Sequence, residues 1–373
     1  MKSFIQKICR AVKRLYVAKK IKDEQLREQY LNIKNCPHTD RIALTNDEKK
    51  AVATTWGFLC KKVSFKEFEY YKFYNGFNAN FVSHYFYLPL IAHRLNNFHY
   101  TKFLEHKSLL GNILGKSIKF PQNVVCSIDN EFYDGKMRQI SLNDAVKLCL
   151  PYKSLIVKNS LENGGGRSLV KMNLTENLQN DSIALMKEFT SRKVDFVVQE
   201  CVEQHSSMAK FNTTSINTFR ITTLYLNGVF SVLSIILRFG KKDMYVDNWG
   251  SGGILVGVKE DGRLNEFGWD IKMNKFDEYN GIVFKDVTIE QMPDLLKRVE
   301  IAHKEDFQLS KLIGWDICID KNNEPIAIEV NSSQPGIFGE QLCTGPIFGE
   351  RTQEVIDYLK KKTFFYNKFF ARY

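Results

Sequence analysis

The feature that most constrains this chain is a hairpin close to its C-terminal end, GWDICID-KNNE-PIAIEVN, over residues 314–331. A symmetric four-residue turn at 321–324 pairs Asp320 with Pro325, Ile317 with Ile328 and Asp316 with Glu329. Side chains alternate between the two faces of a strand. Trp315, Ile317, Ile319, Ile328 and Val330 are therefore expected on one face, with Asp316, Glu329 and Asn331 on the other. Two carboxylates directly opposed in a sheet repel one another, so the pairing calls for a cation between them. Three hard oxygen donors suit Mg²⁺, which needs few protein carboxylates when phosphate oxygens complete its octahedron.

Two further hairpins precede this one. FRITTLYL turns at Asn227-Gly228 into VFSVLSIILRF, and GILVGVKE turns at Asp261-Gly262 into RLNEF. Asn-Gly and Asp-Gly between alternating apolar runs are strong hairpin signals. Residues 288–312 carry a helical pattern that begins at Thr288. Residues 46–115 read as mostly helical and aromatic-rich, with Thr45 or Asn46 as the cap before Asp-Glu. No Gly-rich strand-to-helix turn occurs there, so a complete Rossmann unit is not supported. Short β-type runs take over from about residue 120.

Other segments carry groups suited to polyphosphate. Lys158 ends the apolar run SLIVK and is followed by Gly164-Gly165-Gly166 and then RSLV. Consecutive glycines let a backbone approach a phosphate closely; without a following Gly-Lys-Ser/Thr this is not a Walker A loop, and a plain flexible turn has the same composition. VVQECV (197–202) is a short strand ending in polar residues. It suits either a core strand or a backbone edge offered to a base. Asn217 and Arg220 open one hairpin strand and Arg238 closes its partner; arginines suit bidentate phosphate or carboxylate recognition.

Charge narrows the class of partner. The formal net charge is +11, yet residues 1–20 hold seven Lys/Arg and no acid, and residues 360–373 hold five and no acid. The intervening residues sum to about −1, which argues against a nucleic-acid-binding face on the body. Residues 4–16 fit a basic amphipathic helix (Phe4, Ile5, Ile8, Val12, Leu15 and Tyr16 against Lys7, Arg10, Lys13 and Arg14). That helix suits either packing on the domain or an anionic membrane surface. No run of eighteen apolar residues occurs, and the first twenty residues are too charged for a signal-peptide core. Eight cysteines without a CxxC pair and seven histidines without ligand spacing fit reduced thiols in a cytoplasmic protein and argue against structural zinc.

In this order the segments resemble the ATP-grasp superfamily, and more narrowly the sugar-transfer associated ATP-grasp family. The matching motifs are EHKSLL, GGGRSLV, VVQECV, SINTFRITTL (215–224), LRFG (237–240), DNWGSGGI (247–254) and GWDICID…IAIEVN, with YLPLIAHRLNN (87–97) upstream. The resemblance covers roughly residues 45–357 and implies an α+β fold: two α+β lobes clasping ATP, preceded by a helical N-terminal region. The expected boundaries are 1–44 for a basic helix and linker, 45–119 for the helical region, 120–202 and 203–357 for the lobes, and 358–373 for a basic aromatic tail.

The resemblance also implies roles. Lys107 and Lys158 would contact phosphates, with Gly164, Gly165 and Gly166 over the triphosphate. Gln199, Glu200 and Val202 would form the adenine hinge, and Glu203 or His205 a ribose contact. Asp316, Glu329 and Asn331 would hold Mg²⁺. Arg220, helped by Asn217, would stabilise the transferred phosphoryl group, with Arg238 nearby and Asp247 or Asn248 orienting the acceptor. Carboxylate activation by ATP, followed by capture with an amine, is the implied chemistry, in a cytoplasmic protein working on surface glycans or lying on the inner membrane face. The implied substrates are a carboxylate-bearing sugar and an amino acid or amino sugar. A kinase acting on a hydroxyl and a non-catalytic nucleotide-binding module remain open alternatives.

Overall fold

The computed structural model describes residues 40–59, 64–161, 168–175, 177–241, 247 and 249–362. The expected basic helix at 4–16, the aromatic tail, Gly164–Gly166 and Asn248 lie outside the described residues. Two compact units divide the chain. One takes the described residues up to Asn97 together with those from Gly336 onward; the other is Phe98–Pro335.

The first unit is helical. Thr45 caps the helix Asn46–Trp56 through a reciprocal box with Glu48, satisfying two orphan backbone donors. The helix Lys66–Asn75 follows, and then a π-helical turn at Tyr87–Ala92 between two short helical segments. Tyr71 stacks on Phe81 at 4.5 Å between ring centroids. The helices Phe338–Thr344 and Thr352–Lys361 complete the unit. The expected boundaries at 119/120 and 357/358 therefore move. Gln341 is the physical reason: its buried amide accepts from Val82 N (2.8 Å) and donates to Val82 O (2.9 Å) and the Tyr71 hydroxyl (3.0 Å). Asn75 Nδ2 returns bonds to the carbonyls of Gln341 and Leu342.

The second unit holds two antiparallel sheets. The six-stranded sheet comprises β1 (Asn123–Ile128), β2 (Glu131–Asp134), β3 (Gln139–Ile140), β4 (Ser154–Asn159), β5 (Val170–Asn173) and β6 (Phe196–Glu200), in the order β3-β2-β1-β6-β4-β5. Helices Leu142–Cys149 and Leu178–Ser191, capped by Ser141 and Asn177, contribute Val146, Leu185 and Phe189 to a core with Val125, Val157 and Phe196.

The seven-stranded sheet comprises β7 (Thr218–Leu226), β8 (Val229–Phe239), β9 (Ile254–Val258), β10 (Leu264–Trp269) and β11 (Lys275–Phe276). A separate ribbon, β12 (Glu278–Tyr279) with β13 (Ile282–Val283), precedes its last members, β14 (Leu312–Ile319) and β15 (Pro325–Asn331). The order is β11-β10-β9-β8-β7-β14-β15. Asn227 (φ 53°) and Gly228 (φ 80°) form the left-handed pair that a two-residue hairpin turn demands. At the second hairpin a Cβ on Gly262 would stand 2.1 Å from the Ile289 carbonyl oxygen, so only glycine fits. The long helix starts at Met292 rather than Thr288. Thr288 is drawn into a bridge with Arg263, and Pro293 sits in the first helical turn, where its missing N–H costs nothing.

The third hairpin keeps one expected pair and shifts the others. Asp316 faces Glu329, but Ile317 faces Ala327 and Ile319 faces Pro325, because a β-bulge intervenes after Asp316. Ile328 is the extra residue. Trp315, Ile317, Ile319, Ala327 and Val330 join the core against Leu295, Val299 and Ala302 of the long helix, and Ile328 is not among them. Asp320 builds the turn instead of pairing: its carboxylate accepts from Asn322 N (2.9 Å) and Glu324 N (2.8 Å), and Asn323 takes φ 66°.

Candidate active site

The face of the seven-stranded sheet opposite that core carries the charged groups. Ile236, Arg220, Asp316 and Glu329 stand in one row across β8, β7, β14 and β15. Asp316 is buried, and Arg220 grips it with two bonds, Nε to Oδ1 at 2.5 Å and Nη2 to Oδ2 at 2.9 Å. Arg238 adds Nη2 to Oδ2 at 3.1 Å. Burial pushes this carboxyl up, but the two guanidinium groups outweigh burial and bring it down to about 2. The cation that the opposed carboxylates require is thus supplied in part by arginine. Lys107, almost fully buried, supplies the rest by pairing with Glu329 Oε1 at 3.0 Å.

One row away, Thr218 faces Arg238 and receives two guanidinium bonds at 3.1 and 2.8 Å. Its hydroxyl donates to Asp247 Oδ2 in a short bond, and Arg238 lies 3.5 Å from the same oxygen. Burial raises the Asp247 carboxyl above its ordinary range, with Arg238 partly opposing. Arg220, Arg238, Asp247 and Asp316 therefore form one connected ionic group, and the separate Lys107–Glu329 pair stands next to it, with Glu329 opposite Asp316 in the strand register.

Lys158 is buried at the end of β4, its Nζ 3.5 Å from the Ile328 carbonyl oxygen. The backbone bond from Lys107 N to Ser160 O, at 3.0 Å, fixes the two lysine-bearing segments side by side. Both lysines thus approach β15.

Several expected residues serve other ends. The Gln199 amide turns into the six-stranded sheet and donates to Asn123 Oδ1 at 2.7 Å. The Glu200 backbone N–H is taken by Gln122 O at 3.1 Å, which leaves Val202 and its neighbours beyond the strand end for a base edge. Glu203 is exposed and pairs with Lys321 at 3.2 Å. His205 caps the short helix Ser206–Ala209, with Nδ1 held by Ser207. Asn217 Nδ2 donates to Gln204 Oε1, Met208 O and Asn212 O, so it clamps the 204–212 loop rather than assisting Arg220 directly.

Two site residues escape sequence reasoning. Thr218 links Arg238 to Asp247; only its register opposite Arg238 could have marked it. Glu105, at the end of the helix Phe98–Leu104, accepts from the backbone N–H groups of Ser332 (2.6 Å) and Ser333 (2.5 Å) and from the Ser333 hydroxyl. It thereby locks the turn directly after Asn331 from a position two residues before Lys107. An acid at a helix end looks in sequence like any solvated one.

Among the described residues no cluster of three His, Cys, Asp or Glu side chains gathers to hold a metal. A dication would instead take two carboxylates and an amide. Glu329 has one oxygen outside its bond to Lys107, and the Asn331 amide, whose Nδ2 is buried without a hydrogen-bond partner among the described residues, would have to offer its oxygen. Such oxygens fit Mg²⁺, with Asp316 shared with its arginines.

The model of the sugar-transfer associated ATP-grasp family matches residues 91–357. No curated protein matches the chain. Among solved structures, the chain is similar to a D-alanyl-alanine synthetase A from Vibrio cholerae (11% identity, 65% of this chain and 60% of that one, TM-score 0.38). It is also similar to an L-amino acid ligase from Bacillus licheniformis (16%, 70% and 51%, TM-score 0.39). A biotin carboxylase from Campylobacter jejuni gives 11%, 69% and 46%, with TM-score 0.43. The chain spans about half to three-fifths of the length of these structures.

Proposed function

The chain belongs to the sugar-transfer associated ATP-grasp family, and from that premise we propose that it is an ATP- and Mg²⁺-dependent carboxylate–amine ligase, ADP-forming and working through an acyl-phosphate. The observation that carries the reading is the ionic group of Arg220, Arg238, Asp247 and Asp316 at one sheet face, with the Lys107–Glu329 pair next to it. Phosphoryl transfer depends on positioning and charge neutralisation, and this group is built for both.

Lys107 and Lys158 bind ATP phosphates. Lys107 then exchanges its Glu329 partner for phosphate oxygens, which frees Glu329. Together with Asp316 and Asn331 it would hold Mg²⁺, which would supply charge neutralisation at the phosphates. Arg220 turns part of its charge to the γ-phosphoryl group as a substrate carboxylate attacks it and the bond to ADP breaks. Arg238 keeps Asp316 in place meanwhile. Asp247, whose carboxyl burial makes more basic, takes the proton that the amine loses as it displaces phosphate from the acyl carbon.

The family's description supports a link to sugar transfer; within it, a carboxylate-bearing sugar and an amino acid or amino sugar are the substrates of this reading. The basic charge at both ends of the chain supports a cytoplasmic working place beside an anionic membrane; among the described residues no helix is long and apolar enough to cross one. The deciding assay supplies Mg-ATP, uronic acids and hydroxylamine and measures ADP and hydroxamate. Hydroxamate is expected. ADP with a phosphorylated hydroxyl product would replace the ligase with a kinase. Co-sedimentation with anionic vesicles, lost on deleting residues 1–20, tests the membrane part.

A further inference from the structure

On the charged face of the seven-stranded sheet, the row next to Arg220–Asp316–Glu329 is uncharged. Ser234 on β8, Thr222 on β7, Gly314 on β14 and Asn331 on β15 stand opposite one another across four strands. Their sequence neighbours Ile235, Ile221, Trp315 and Val330 all belong to the core, so this row faces the same way as the charged one. Thr222 is 0% exposed and Ser234 4%. Thr222 Oγ1, Ser234 Oγ and Asn331 Nδ2 are all buried, and none has a hydrogen-bond partner among the described residues.

Buried polar groups are nearly always satisfied, and leaving one unmade is unfavourable. Here three fall in a single row. Thr222 and Ser234 are also direct cross-strand partners, about 5 Å apart at the backbone, yet their hydroxyls do not bond to each other. A third group placed between them would satisfy both. The row lies about 7 Å along the strands from Asp316 and Arg220, within reach of a single small substrate whose reacting end is at the arginines. Above Gly314 the Arg220 and Pro335 side chains already stand 3.4 Å from where a Cβ would be, so a substrate reaches the row from its Thr222–Ser234 end.

We propose that Ser234, Thr222 and the Asn331 amide form a subsite for the neutral, hydroxyl-bearing part of the carboxylate substrate. The subsite rests on the ligase reading for the position of the reacting end. Hydroxyl groups match it because they donate and accept at once, as Ser and Thr require, and no charged group stands in the row. If Asn331 turns its oxygen to the dication, its NH₂ remains for the substrate, so one amide serves both neighbours.

The test uses the full chain saturated with Mg-ADP, with glucuronate and galacturonate as probes in titration calorimetry. In the double variant Thr222→Val, Ser234→Ala, affinity for the saccharide that binds should fall roughly tenfold or more, while Mg-ADP affinity stays the same. The melting temperature should rise, because two unsatisfied buried hydroxyls are gone. Equal saccharide affinity in both proteins overturns the subsite, as does failure of the unaltered protein to bind either saccharide in the millimolar range. A lower melting temperature in the variant also overturns it, since that marks hydroxyls satisfied by internal water. Hydroxamate formation is read separately. Saccharide binding without hydroxamate sinks the ligase and keeps the subsite, whereas hydroxamate with unaltered saccharide affinity in the variant does the reverse.

Discussion

The two faces of the seven-stranded sheet are made by the same strands and obey opposite rules. On one, Trp315, Ile317, Phe219 and Ile221 pack against the helix Met292–Glu305. On the other, Asp316, Arg220, Arg238 and Thr218 are bound in an ionic group. Trp315 and Asp316 are adjacent in sequence and both buried, yet their partners are a core and an ionic group. The core face can lose atoms and keep its purpose at reduced stability. The ionic face is stable only while every charge keeps its partner, because a lone buried charge is far more costly than a missing contact.

The largest effect should come from Asp316→Ala, which strands two partly buried guanidinium groups. Turnover measured by ADP release should fall on the order of 10³-fold, and denaturant unfolding should register a loss of about 3–5 kcal/mol. Retained turnover would sever the ionic face from the chemistry. Trp315→Ala should cost about 3–5 kcal/mol as well, since it empties a core site and removes the bond from Nε1 to Thr223 Oγ1 at 2.9 Å. Mg-ATP affinity, measured below the unfolding temperature, should stay within about threefold of the unaltered protein. A selective loss of nucleotide affinity would show that the faces are not separable.

Acid titration should resolve the faces in different windows. His303, on the core side, is buried between Thr223 Oγ1 (2.8 Å) and Ser310 O (2.9 Å), and burial holds it down to about 4. Its folded pKa lies below the unfolded value of about 6.5. The stability it contributes is therefore full above pH ~6.5 and is lost as pH falls toward 4, to the extent of about 3 kcal/mol. Asp316, depressed to about 2, contributes stability that is full above pH ~4 and lost only as pH falls toward 2. Denaturation midpoints from pH 8 downward, compared with those of His303→Gln, should lose the first step and keep the second. A variant that retains the first step would remove His303 from the account.

The smallest expected effect concerns Glu105→Gln. It weakens a carboxylate that accepts from two backbone N–H groups, so kcat should drop about tenfold with little change in melting temperature. Restoration of kcat in Glu105→Asp, by calorimetric or coupled assay, would contradict a requirement for the longer reach.

Much of this comparison was legible in the strand sequences. Period-two alternation separated Trp315 and Ile317 from Asp316, and the turns at Asn227-Gly228 and Asp261-Gly262 set the hairpins. The Asp316–Glu329 pair formed as expected; that Arg220 stands beside it on the next strand was not foreseen. The bulge at Ile328 was not legible, because an extra residue in a strand has no composition of its own. Nor was the return of residues from Gly336 onward to the helical unit, which depends on bonds from Gln341 and Asn75 across more than 250 residues. Asn217 and His205 carry polar side chains that suit a ligand and a loop clamp equally; only the neighbouring carbonyls and the short helix decide between them.

The bonds from Lys107 to Glu329 and from Glu105 to Ser333 join positions 222 and 228 residues apart. Loop closure over such spans comes late in folding. A nascent chain that has produced its lysines and arginines therefore lacks these bonds until β15 and the turn after it have been synthesised and docked. On the proposed ligase reading, a chain cut short before this point would turn over no ATP.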